Sequence, residues 1–568
     1  MRRTKVIDCL FIGHNEMNFE EYENTVRKMG VNSGAYRDLN LNFIQYDNRL
    51  YTAADIFNLF YCSGRKRGDS NSNHPFRLSE TFSAAIAYLG SYLNKRGLTF
   101  DYVNSFQEEK EELRDKLVHD NILTVAIVTT LYVSPLPILE IVDFVKSYNT
   151  TAKIIVGGPL VTTLVRSPDP AVLEYSLKSI DADFFVNSSQ GEAALVNIIR
   201  ASKMNTPLGR IHNIFYKTAY GYTATEISKE NNQLSHNKVN WDLFSGDIRE
   251  FINVRTAISC PFSCAFCSFP DHAGDYQMMG VNDVEWELNL IDKIKTVKHV
   301  HFIDDTFNVP QKRFKEILRM MIKNNYKFKW YSHFRCQFAD RETVELMKQS
   351  GCEGVFLGIE SGNNKILKNM NKAVTVEKYL KGSQLLKQCG ILTYGSFIIG
   401  FPGETRETIQ DTIEFIQTSG LDFFRAQLWY CVPNAPIFQK KSQYKIKGES
   451  FEWSHLTMDS QEASDFVEKI FLSIENPVWV PQYNFEYDAL FHLVHRGMPL
   501  ERVNAFLKAF NTGIKEKLKD PSAKEVSFVT IRKIKDACNP LAKDRPDSIP
   551  GKTQKELTGA AYHADFDF

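Results

Sequence analysis

Short apolar runs alternate with helix-period segments over the first third of the chain. Runs rich in apolar and β-branched residues are typical of buried strands. The predicted strands are Val6–Ile12, Leu98–Val103, Leu123–Thr130, Lys153–Val156 and Ala182–Val186. Helical periodicity separates most of them, as at Glu80–Lys95 and Ile138–Tyr148. This alternation predicts an α/β fold, with a doubly wound, Rossmann-like domain built on a parallel sheet.

A second alternating series begins near Glu250 and continues to about residue 442. Its predicted strands are Phe251–Ile258, Val300–Ile303, Lys329–His333, Gly354–Ile359, Thr393–Ile398 and Phe423–Trp429. Its predicted helices are Val284–Ile294, Lys312–Asn324, Arg341–Gln349, Val376–Cys389 and Arg406–Thr418. Six strands joined by helices predict a partial (β/α)6 barrel, and ligands of such a barrel bind at the carboxyl ends of its strands.

The pattern divides the chain into five parts. Residues 1–210 are predicted to form the doubly wound domain, with an inserted segment at about 20–77 whose RKRGDSNSNHP stretch has the composition of a loop. Residues 211–249 are predicted as a linker, 250–442 as the barrel and 443–542 as a mainly helical capping domain. Residues 543–568 are rich in charge, Pro and Gly, which predicts a disordered tail.

Composition and charge disfavour several classes of protein. In 568 residues, 68 lysines and arginines balance 68 aspartates and glutamates, so no basic excess attracts a nucleic-acid backbone. The longest apolar stretch, around Ile122–Val133, is shorter than the roughly 20 residues that span a bilayer. Asp8 interrupts the first apolar run, which does not fit a secretory signal. We therefore expect a cytoplasmic protein whose partners are neither nucleic acid nor membrane.

The ten cysteines are scattered except for one cluster, CPFSCAFC, directly after the first strand of the second series. Three thiolates on a short loop can hold three corners of a [4Fe-4S] cluster and leave the fourth iron open to another ligand. The alternative is structural zinc, but such sites use four ligands, and no second cysteine pair occurs in the sequence. Cys260, Cys264 and Cys267 are therefore predicted to be the cluster ligands.

The spacing CxxxCxxC, with Phe266 before the last cysteine and a six-stranded barrel around it, resembles the radical S-adenosylmethionine (AdoMet, SAM) superfamily. The resemblance implies that AdoMet chelates the open iron. It also implies that one electron, from a donor such as flavodoxin or ferredoxin, cleaves AdoMet to methionine and a 5′-deoxyadenosyl radical.

Polar residues follow three further barrel strands. Asp304 in HFIDDTF, Arg335 in KWYSHFRC and Glu360 in GVFLGIESGNN come after strands two, three and four. Each one alone fits an ordinary loop charge. Together with the cysteines they resemble the AdoMet pocket of the superfamily. The resemblance also implies AdoMet contacts at Phe266 and at Ile399 in YGSFIIGFPGET.

Small and hydroxylated residues follow consecutive strands of the first domain, in TTLYVSP, GGPLV and SSQGEAAL. Such residues suit an open, flat edge of the sheet on which a large planar ligand can bind, although tight strand-to-helix turns use the same residues. Before a radical AdoMet barrel, this arrangement resembles the cobalamin-binding domain of the cobalamin-dependent branch. The resemblance implies cobalamin contacts at Thr129, Thr130, Leu131, Ser134, Gly157, Gly158, Pro159, Val161, Gly191 and Glu192. The DxHxxG motif that supplies a histidine to cobalt is absent, so no lower cobalt ligand is predicted.

The resemblance covers most of residues 1–440 and implies an enzyme that moves a methyl group from AdoMet through cobalamin to an unactivated position. The opening IDCLFIGHNEMNFEEYE also resembles phosphorus-methylating enzymes of phosphinate pathways. It suggests a small natural-product precursor, free or tethered to a carrier protein, that is methylated on carbon or phosphorus. The alternatives are a cobalamin-dependent radical enzyme that forms a ring or rearranges its substrate, a non-enzymatic cobalamin-binding protein, and a tRNA-modifying relative. Neutral charge and the lack of auxiliary cysteine clusters disfavour the last.

Overall fold

The computed structural model describes residues 4–16, 18–63, 75–77, 80–130, 132, 134–166 and 169–539. Leu131, the predicted tail at 543–568 and all of RKRGDSNSNHP except Pro75 lie outside the described residues. Within the described ranges, no helix is both long and apolar enough to cross a bilayer.

The amino-terminal domain is built on a seven-stranded sheet. In spatial order its strands are Phe100–Ser105, Val6–His14, Asn121–Val128, Lys153–Gly157, Phe184–Val186, Ile214–Thr218 and Gly221–Ala224. The first five are parallel, which confirms the predicted sheet, and the last two are antiparallel. These two come from the segment predicted as a linker. They form a hairpin because Gly221, with φ 122°, allows a tight turn.

Both faces of this sheet are covered by helices. Leu10 and Ile12 of the strand Val6–His14 enter one core, whereas Cys9 and Phe11 enter the other. A parallel strand that is buried on both faces reads as a continuous apolar run, which is why the sequence pattern identified it. The helices are Ala84–Asn94, Lys110–His119, Leu136–Tyr148, Pro159–Val165, Pro170–Ile180 and Glu192–Met204.

The barrel sheet also has seven strands, which we number one to seven in chain and spatial order. They are Phe251–Val254, His299–Phe302, Lys329–His333, Cys352–Glu360, Leu392–Ile399, Phe423–Leu428 and Val478–Trp479, all parallel. Six of them were predicted, and the two-residue seventh comes from the predicted capping domain. The predicted strand Phe251–Ile258 is split, because Ala257–Ile258 leaves the barrel and pairs with Gln277–Met278.

Helices connect the barrel strands, and several begin at side-chain caps that their sequences encode. Asp340 accepts from the N–H of Thr343, and Thr405 and Thr408 form a reciprocal capping box. The barrel helices are Phe269–Ala273, Val281–Lys293, Gln311–Asn324, Arg341–Gln349, Asn364–Asn369, Val376–Gln388 and Arg406–Thr418.

The carboxy-terminal region is mainly helical, as predicted. Its helices are Lys441–Tyr444, Ser460–Ser473, Tyr487–His495, Leu500–Lys519 and Phe528–Cys538. A small antiparallel sheet of Lys447–Glu449, Glu452–His455 and Met458–Asp459 precedes them.

The inserted segment is structured in residues 18–63. It consists of the helices Phe19–Arg27, Gly34–Asn40 and Ala53–Ser63 and of a hairpin between Phe43–Tyr46 and Arg49–Thr52. It packs against the barrel and the carboxy-terminal region. Arg425 of barrel strand six donates to Asn42 Oδ1 at 3.0 Å, and Arg37 pairs with Glu468 at 2.7 Å.

Candidate active site

The cysteine loop begins where barrel strand one ends. The backbone N–H groups of Thr256 and Ala257 donate to Oδ1 of Asp304 at 2.6 and 2.9 Å, and the Thr256 hydroxyl donates to the other carboxylate oxygen. Asp304 is 1% exposed. It therefore anchors the base of the loop, and its contact with AdoMet stays a prediction.

Cys260, Cys264 and Cys267 are free, partly buried thiols on this loop. Sγ of Cys260 lies 3.2 Å from Thr306 Oγ1, and the N–H of Phe269 donates to Sγ of Cys267 at 3.4 Å. Burial raises the pKa of Cys267 to about 11 and also raises the pKa of Cys264. Metal binding displaces the thiol protons. Three thiols on one loop fit three corners of a [4Fe-4S] cluster with the fourth corner open.

Later parts of the chain fasten the loop. The N–H of Ala265 donates to Met370 O at 2.8 Å, and the N–H of Ile437 donates to Ala265 O at 2.8 Å. The side chain of Asn371 donates to Ser263 O at 2.8 Å. The connections that follow strands four and six therefore hold the loop between them.

Arg335 places a positive charge against the loop. Its Cζ lies 3.6 Å from the centre of the Phe262 ring, and its Nη2 donates to Lys372 O at 2.9 Å. The backbone of Arg335 exchanges two hydrogen bonds of 3.0 Å with the Asn308 side chain. A fixed guanidinium at this position suits an anionic cluster or a carboxylate ligand.

Glu360 adopts a backbone conformation that is costly for a residue other than glycine. Its φ is 69°, and strain of this kind concentrates at functional sites. Its Oε1 lies 3.3 Å from Nζ of Lys372, which also donates to Gly358 O at 2.8 Å. Burial raises the pKa of Glu360, and the Lys372 ammonium opposes that rise. Lys372 is 5% exposed and its Nζ lies 5.6 Å from the centre of the Phe266 ring, so the pair is a buried ionic group beside the cysteine loop.

The end of strand five is clamped around Gly400. Its N–H donates to Glu404 Oε2 at 2.5 Å, and its carbonyl accepts from Nε2 of His455 at 3.0 Å. Its φ is 91°, and a Cβ here would lie 2.4 Å from the Trp453 ring, so only glycine fits. Ile399 is fully buried, so its predicted AdoMet contact would involve the backbone. Phe266 is partly buried with its ring 6.5 Å from that of Phe401.

The predicted cobalamin contacts lie at the carboxyl edge of the amino-terminal sheet. The N–H of Thr129 donates to Gly157 O at 2.9 Å, and the N–H of Leu160 donates to Thr129 Oγ1 at 3.3 Å. Gly158 has φ 118°, and a Cβ on it would lie 2.7 Å from Thr129 Oγ1. The ends of the strands Asn121–Val128 and Lys153–Gly157 are thus hydrogen-bonded to each other, and this close approach requires glycine at position 158.

The other predicted cobalamin contacts differ in exposure. Thr130 and Pro159 are exposed and Ser134 is partly exposed, so these side chains line an open edge. Val161 is 1% exposed and packs in the core, so it offers only its backbone. Gly191 precedes the last helix of the domain with φ 81°. Their binding roles stay predictions.

Glu192 lies at the junction of the two domains and is 3% exposed. It accepts from Asn232 Nδ2 at 2.8 Å. Burial raises the pKa of Glu192, and the guanidinium of Arg255 opposes that rise. Arg255 follows barrel strand one directly, with its Cζ 4.5 Å from the centre of the Tyr88 ring. An acid predicted to contact cobalamin therefore lies beside the start of the cysteine loop.

The two predicted cofactor sites are adjacent. The helix Phe269–Ala273 follows Cys267 and contacts the amino-terminal domain, where Arg166, at the end of the helix Pro159–Val165, donates to Asp271 O at 2.7 Å. Gly274 ends the same helix and lies against Ser189, which follows the strand Phe184–Val186 at the carboxyl edge; a Cβ on Gly274 would lie 2.9 Å from Ser189 Oγ.

Sequence reasoning missed two residues of this region. Lys372 follows a short helix in NMNKAV, where a lysine carries no marker of burial. Tyr132 is buried at the carboxyl edge, where its hydroxyl accepts from Asn15 N at 2.8 Å and donates to Gly13 O at 3.1 Å. The signal for Tyr132 was its position inside TTLYVSP, directly after a strand.

A model of the radical SAM superfamily matches residues 255–416, which begin at the cysteine loop and reach the helix after strand five. The barrel is a radical SAM domain. The match confirms the predicted superfamily, and with it an enzyme that uses an iron–sulfur cluster and AdoMet.

Two curated relatives extend beyond the barrel. An uncharacterized methyltransferase of Pyrococcus horikoshii is 27% identical over an aligned length of 347 residues, and the alignment covers 58% of this chain and 73% of that protein. The anaerobic magnesium-protoporphyrin IX monomethyl ester cyclase of Rubrivivax gelatinosus is 25% identical over an aligned length of 388 residues, and the alignment covers 65% of this chain and 68% of that protein.

Two solved structures share the fold. The radical SAM methyltransferase TsrM from Kitasatospora setae, solved with cobalamin and a [4Fe-4S] cluster, has a TM-score of 0.58 at 14% identity and matches 78% of this chain and 97% of its own. The cobalamin-dependent radical enzyme OxsB, solved with aqua-cobalamin and AdoMet, has a TM-score of 0.56 at 13% identity and matches 94% of this chain and 79% of its own. These likenesses confirm the predicted order of a doubly wound domain, a partial barrel and a helical region.

Proposed function

We propose that this radical SAM enzyme is a cobalamin-dependent methyltransferase that acts on an unactivated carbon or phosphorus centre of a small natural-product precursor. The observation that carries the proposal is the direct contact between the helix after Cys267 and the carboxyl edge of the amino-terminal sheet. A cluster on the cysteine loop and a planar cofactor on that edge would share one cavity.

The side chains of the barrel fit AdoMet. Cys260, Cys264 and Cys267 would hold the cluster, with the open iron left for AdoMet. The buried charges of Glu360 and Arg335 are of the kind that pair with an amino group and a carboxylate. The hydrogen bonds of Gly400 to Glu404 and His455 fix the backbone at the end of strand five, beside Ile399, whose backbone would contact the adenine.

The open edge of the amino-terminal domain supports cobalamin. Gly157 and Gly158 have no side chain, so a ligand can approach their backbone closely. Thr130 and Ser134 offer hydroxyls that can form hydrogen bonds with an amide-rich ligand. When bound, cobalamin would supply the methyl group, and the cluster with AdoMet would supply the radical that activates the substrate. The protein's contribution is to position both cofactors and to exclude water.

A small substrate is favoured over a macromolecule. The chain has no net charge, and the TsrM structure that was solved with tryptophan shares the fold at a TM-score of 0.53. Similarity to cyclases supports a second candidate, a radical reaction that forms a ring without adding a methyl group. An external one-electron donor is required in either case.

The stoichiometry of the products separates these candidates. With reductant, cobalamin, AdoMet and a candidate precursor, methyl transfer should yield 5′-deoxyadenosine, S-adenosylhomocysteine and methylated product in equal amounts. Deoxyadenosine without S-adenosylhomocysteine, from a substrate that is consumed, would contradict methylation and support the cyclase candidate.

Cluster variants supply the control. Replacement of Cys260, Cys264 and Cys267 by alanine should abolish the cluster absorption and both AdoMet products. Cys389→Ala is the matched control, because this thiol is partly exposed and lies outside the loop. Unchanged iron and sulfide content in the triple variant would refute the cluster assignment.

A further inference from the structure

The amino end of the barrel carries a second group of metal-binding side chains, at the opposite end of the strands from the cysteine loop. It comprises His299 at the start of strand two, Glu353 in strand four and His495 at the end of the helix Tyr487–His495. One ligand atom of each lies within 4.8 Å of the other two. We propose that these three side chains bind a divalent transition-metal ion of the Zn²⁺ class.

The spacing of the three atoms fits a tetrahedral ion. Nε2 of His299 lies 3.2 Å from Oε2 of Glu353, and Nε2 of His495 lies 2.7 Å from the same oxygen. Ligands bound at about 2.0–2.1 Å in tetrahedral geometry are roughly 3.4 Å apart. The pair with His299 is close to that separation, and His495 reaches it by a shift of under ~1 Å.

A bulge directs Glu353 to this position. Trp330 of strand three is opposite Cys352, while the next residue, Tyr331, is opposite Gly354. Glu353 is therefore the additional residue of strand four, and bulges of this kind re-aim a side chain. The bulge turns the carboxylate toward the two histidines.

Close packing brings His495 to the same point. A Cβ on Gly354 would lie 2.4 Å from Tyr487 Oη and 2.6 Å from the Phe491 ring. The helix Tyr487–His495 therefore lies directly against strand four, and its last residue reaches Glu353.

His299 is held without a polar partner that satisfies it. Its side chain is 0% exposed, and its ring packs against those of Phe491 at 5.0 Å and Tyr331 at 5.4 Å. Neither ring nitrogen makes a hydrogen bond within the described residues, because the approach to Glu353 is outside hydrogen-bond geometry. Buried imidazole nitrogens are ordinarily paired, and a metal bond to Nε2 would satisfy this one.

The site has a path to solvent. His495 lines a cavity of about 2250 Å³ at the amino end of the barrel, together with Glu250, Phe251 and Lys298. The side chains of Glu353 and His495 are 28% and 16% exposed. Two histidines, one carboxylate and a water would complete four ligands. Bound metal would join a carboxy-terminal helix to strands two and four and stabilise the folded chain.

The test uses the full chain with its cluster, treated with chelator and then given Zn²⁺ or Co²⁺ alone. We expect about one equivalent of zinc beyond the cluster iron, a higher Tm with zinc, and a Co²⁺ spectrum without thiolate charge transfer. All three effects should be absent in Glu353→Gln and in His495→Gln. All three should remain in the cysteine triple variant, which would exclude metal binding at the cysteine loop.

The matched control is His119→Gln, which removes an exposed histidine that lies 3.0 Å from the Asp115 carboxylate. It should behave as the parent chain does. The proposal would be overturned if zinc uptake and the Tm shift were equal in Glu353→Gln, His495→Gln and His119→Gln. The three side chains would then form an ion pair and no metal site. Loss of binding in the cysteine variant alone would also overturn it.

Discussion

The variant Asp304→Asn tests how far the cysteine loop depends on its anchor. Oδ1 accepts from two backbone N–H groups, and Oδ2 accepts from the Thr256 hydroxyl. That hydroxyl also accepts from Arg313 Nη2 at 2.8 Å. Asparagine keeps the shape and one acceptor oxygen, but it removes the negative charge that balances Arg313 and places an NH₂ group toward Thr256.

The cost follows from the kind of bond that is lost. Hydrogen bonds to a charged group contribute about 1.5–3 kcal/mol each, and asparagine retains part of the set, so we expect about 2 kcal/mol for Asp304→Asn. Asp304→Ala leaves two buried N–H groups and the 8%-exposed Arg313 without the carboxylate. We expect about 3–5 kcal/mol for it, as when one partner of a buried pair is removed.

Asp143 supplies the control because it is exposed on the helix Leu136–Tyr148, far in sequence from the cysteine loop. Asp143→Asn should change the unfolding free energy by no more than about 0.5 kcal/mol. Denaturant unfolding of the cluster-free chains measures the stability, and iron and sulfide content after reconstitution measures the loop. Equal unfolding of the two asparagine variants would refute the hydrogen-bond argument. Full cluster occupancy in a destabilised Asp304→Asn would refute the idea that the anchor positions the cysteines.

Three further variants test other parts of the structure. Thr130→Trp should abolish cobalamin binding by crowding the carboxyl edge, whereas Thr223→Trp, also exposed but on the hairpin strand Gly221–Ala224, should not; equal binding would contradict the proposed site. Burial raises the pKa of Glu404 from 4.5 to about 8, so the folded chain holds a proton that the unfolded chain releases. The contribution of this proton to the free energy of unfolding is fully present below pH ~4.5 and is lost as pH rises through ~8, by up to about 1.4 kcal/mol per pH unit. Glu404→Gln should remove this pH dependence of the unfolding free energy, and an unchanged pH dependence would contradict the assignment. Gly354→Ala should lower stability by about 1–3 kcal/mol, because its Cβ would lie 2.4 Å from Tyr487 Oη, and a melting temperature equal to the parent's would contradict that packing.

The barrel and the cysteine loop were predictable because their signals are local. Strand three was predicted at its observed bounds, Lys329–His333, and strand five, Leu392–Ile399, within one residue at each end. A strand that is buried on both faces is a continuous apolar run, and the three cysteines are spaced within one loop. The split of the predicted strand Phe251–Ile258 was not predictable, because Asp304, nearly 50 residues later, draws the chain out of the sheet.

The AdoMet pocket was only partly predictable for a related reason. Glu360 and Arg335 follow strands, which makes them candidates, but the contact between Glu360 and Lys372 depends on how the next connection folds back. The positive φ of Glu360 has no counterpart in the sequence, because φ above zero is expected of glycine or asparagine. A glutamate that is strained and ion-paired was therefore visible only in the structure.

The inserted segment at 18–63 could not be placed from the sequence, because its partners are several hundred residues away. Arg425 has a fully buried side chain that reaches Asp38 at 3.1 Å, and Lys517 donates to the carbonyls of Asn40 and Phe43 at 2.8 and 2.7 Å. No periodicity encodes such contacts. They make the start of the chain part of the wall around barrel strands six and seven. An isolated amino-terminal domain would expose these groups without partners, so failure of such a fragment to bind cobalamin would report lost contacts as readily as a missing site. Cobalamin binding is therefore best measured on the full chain, where Thr130→Trp changes the edge alone.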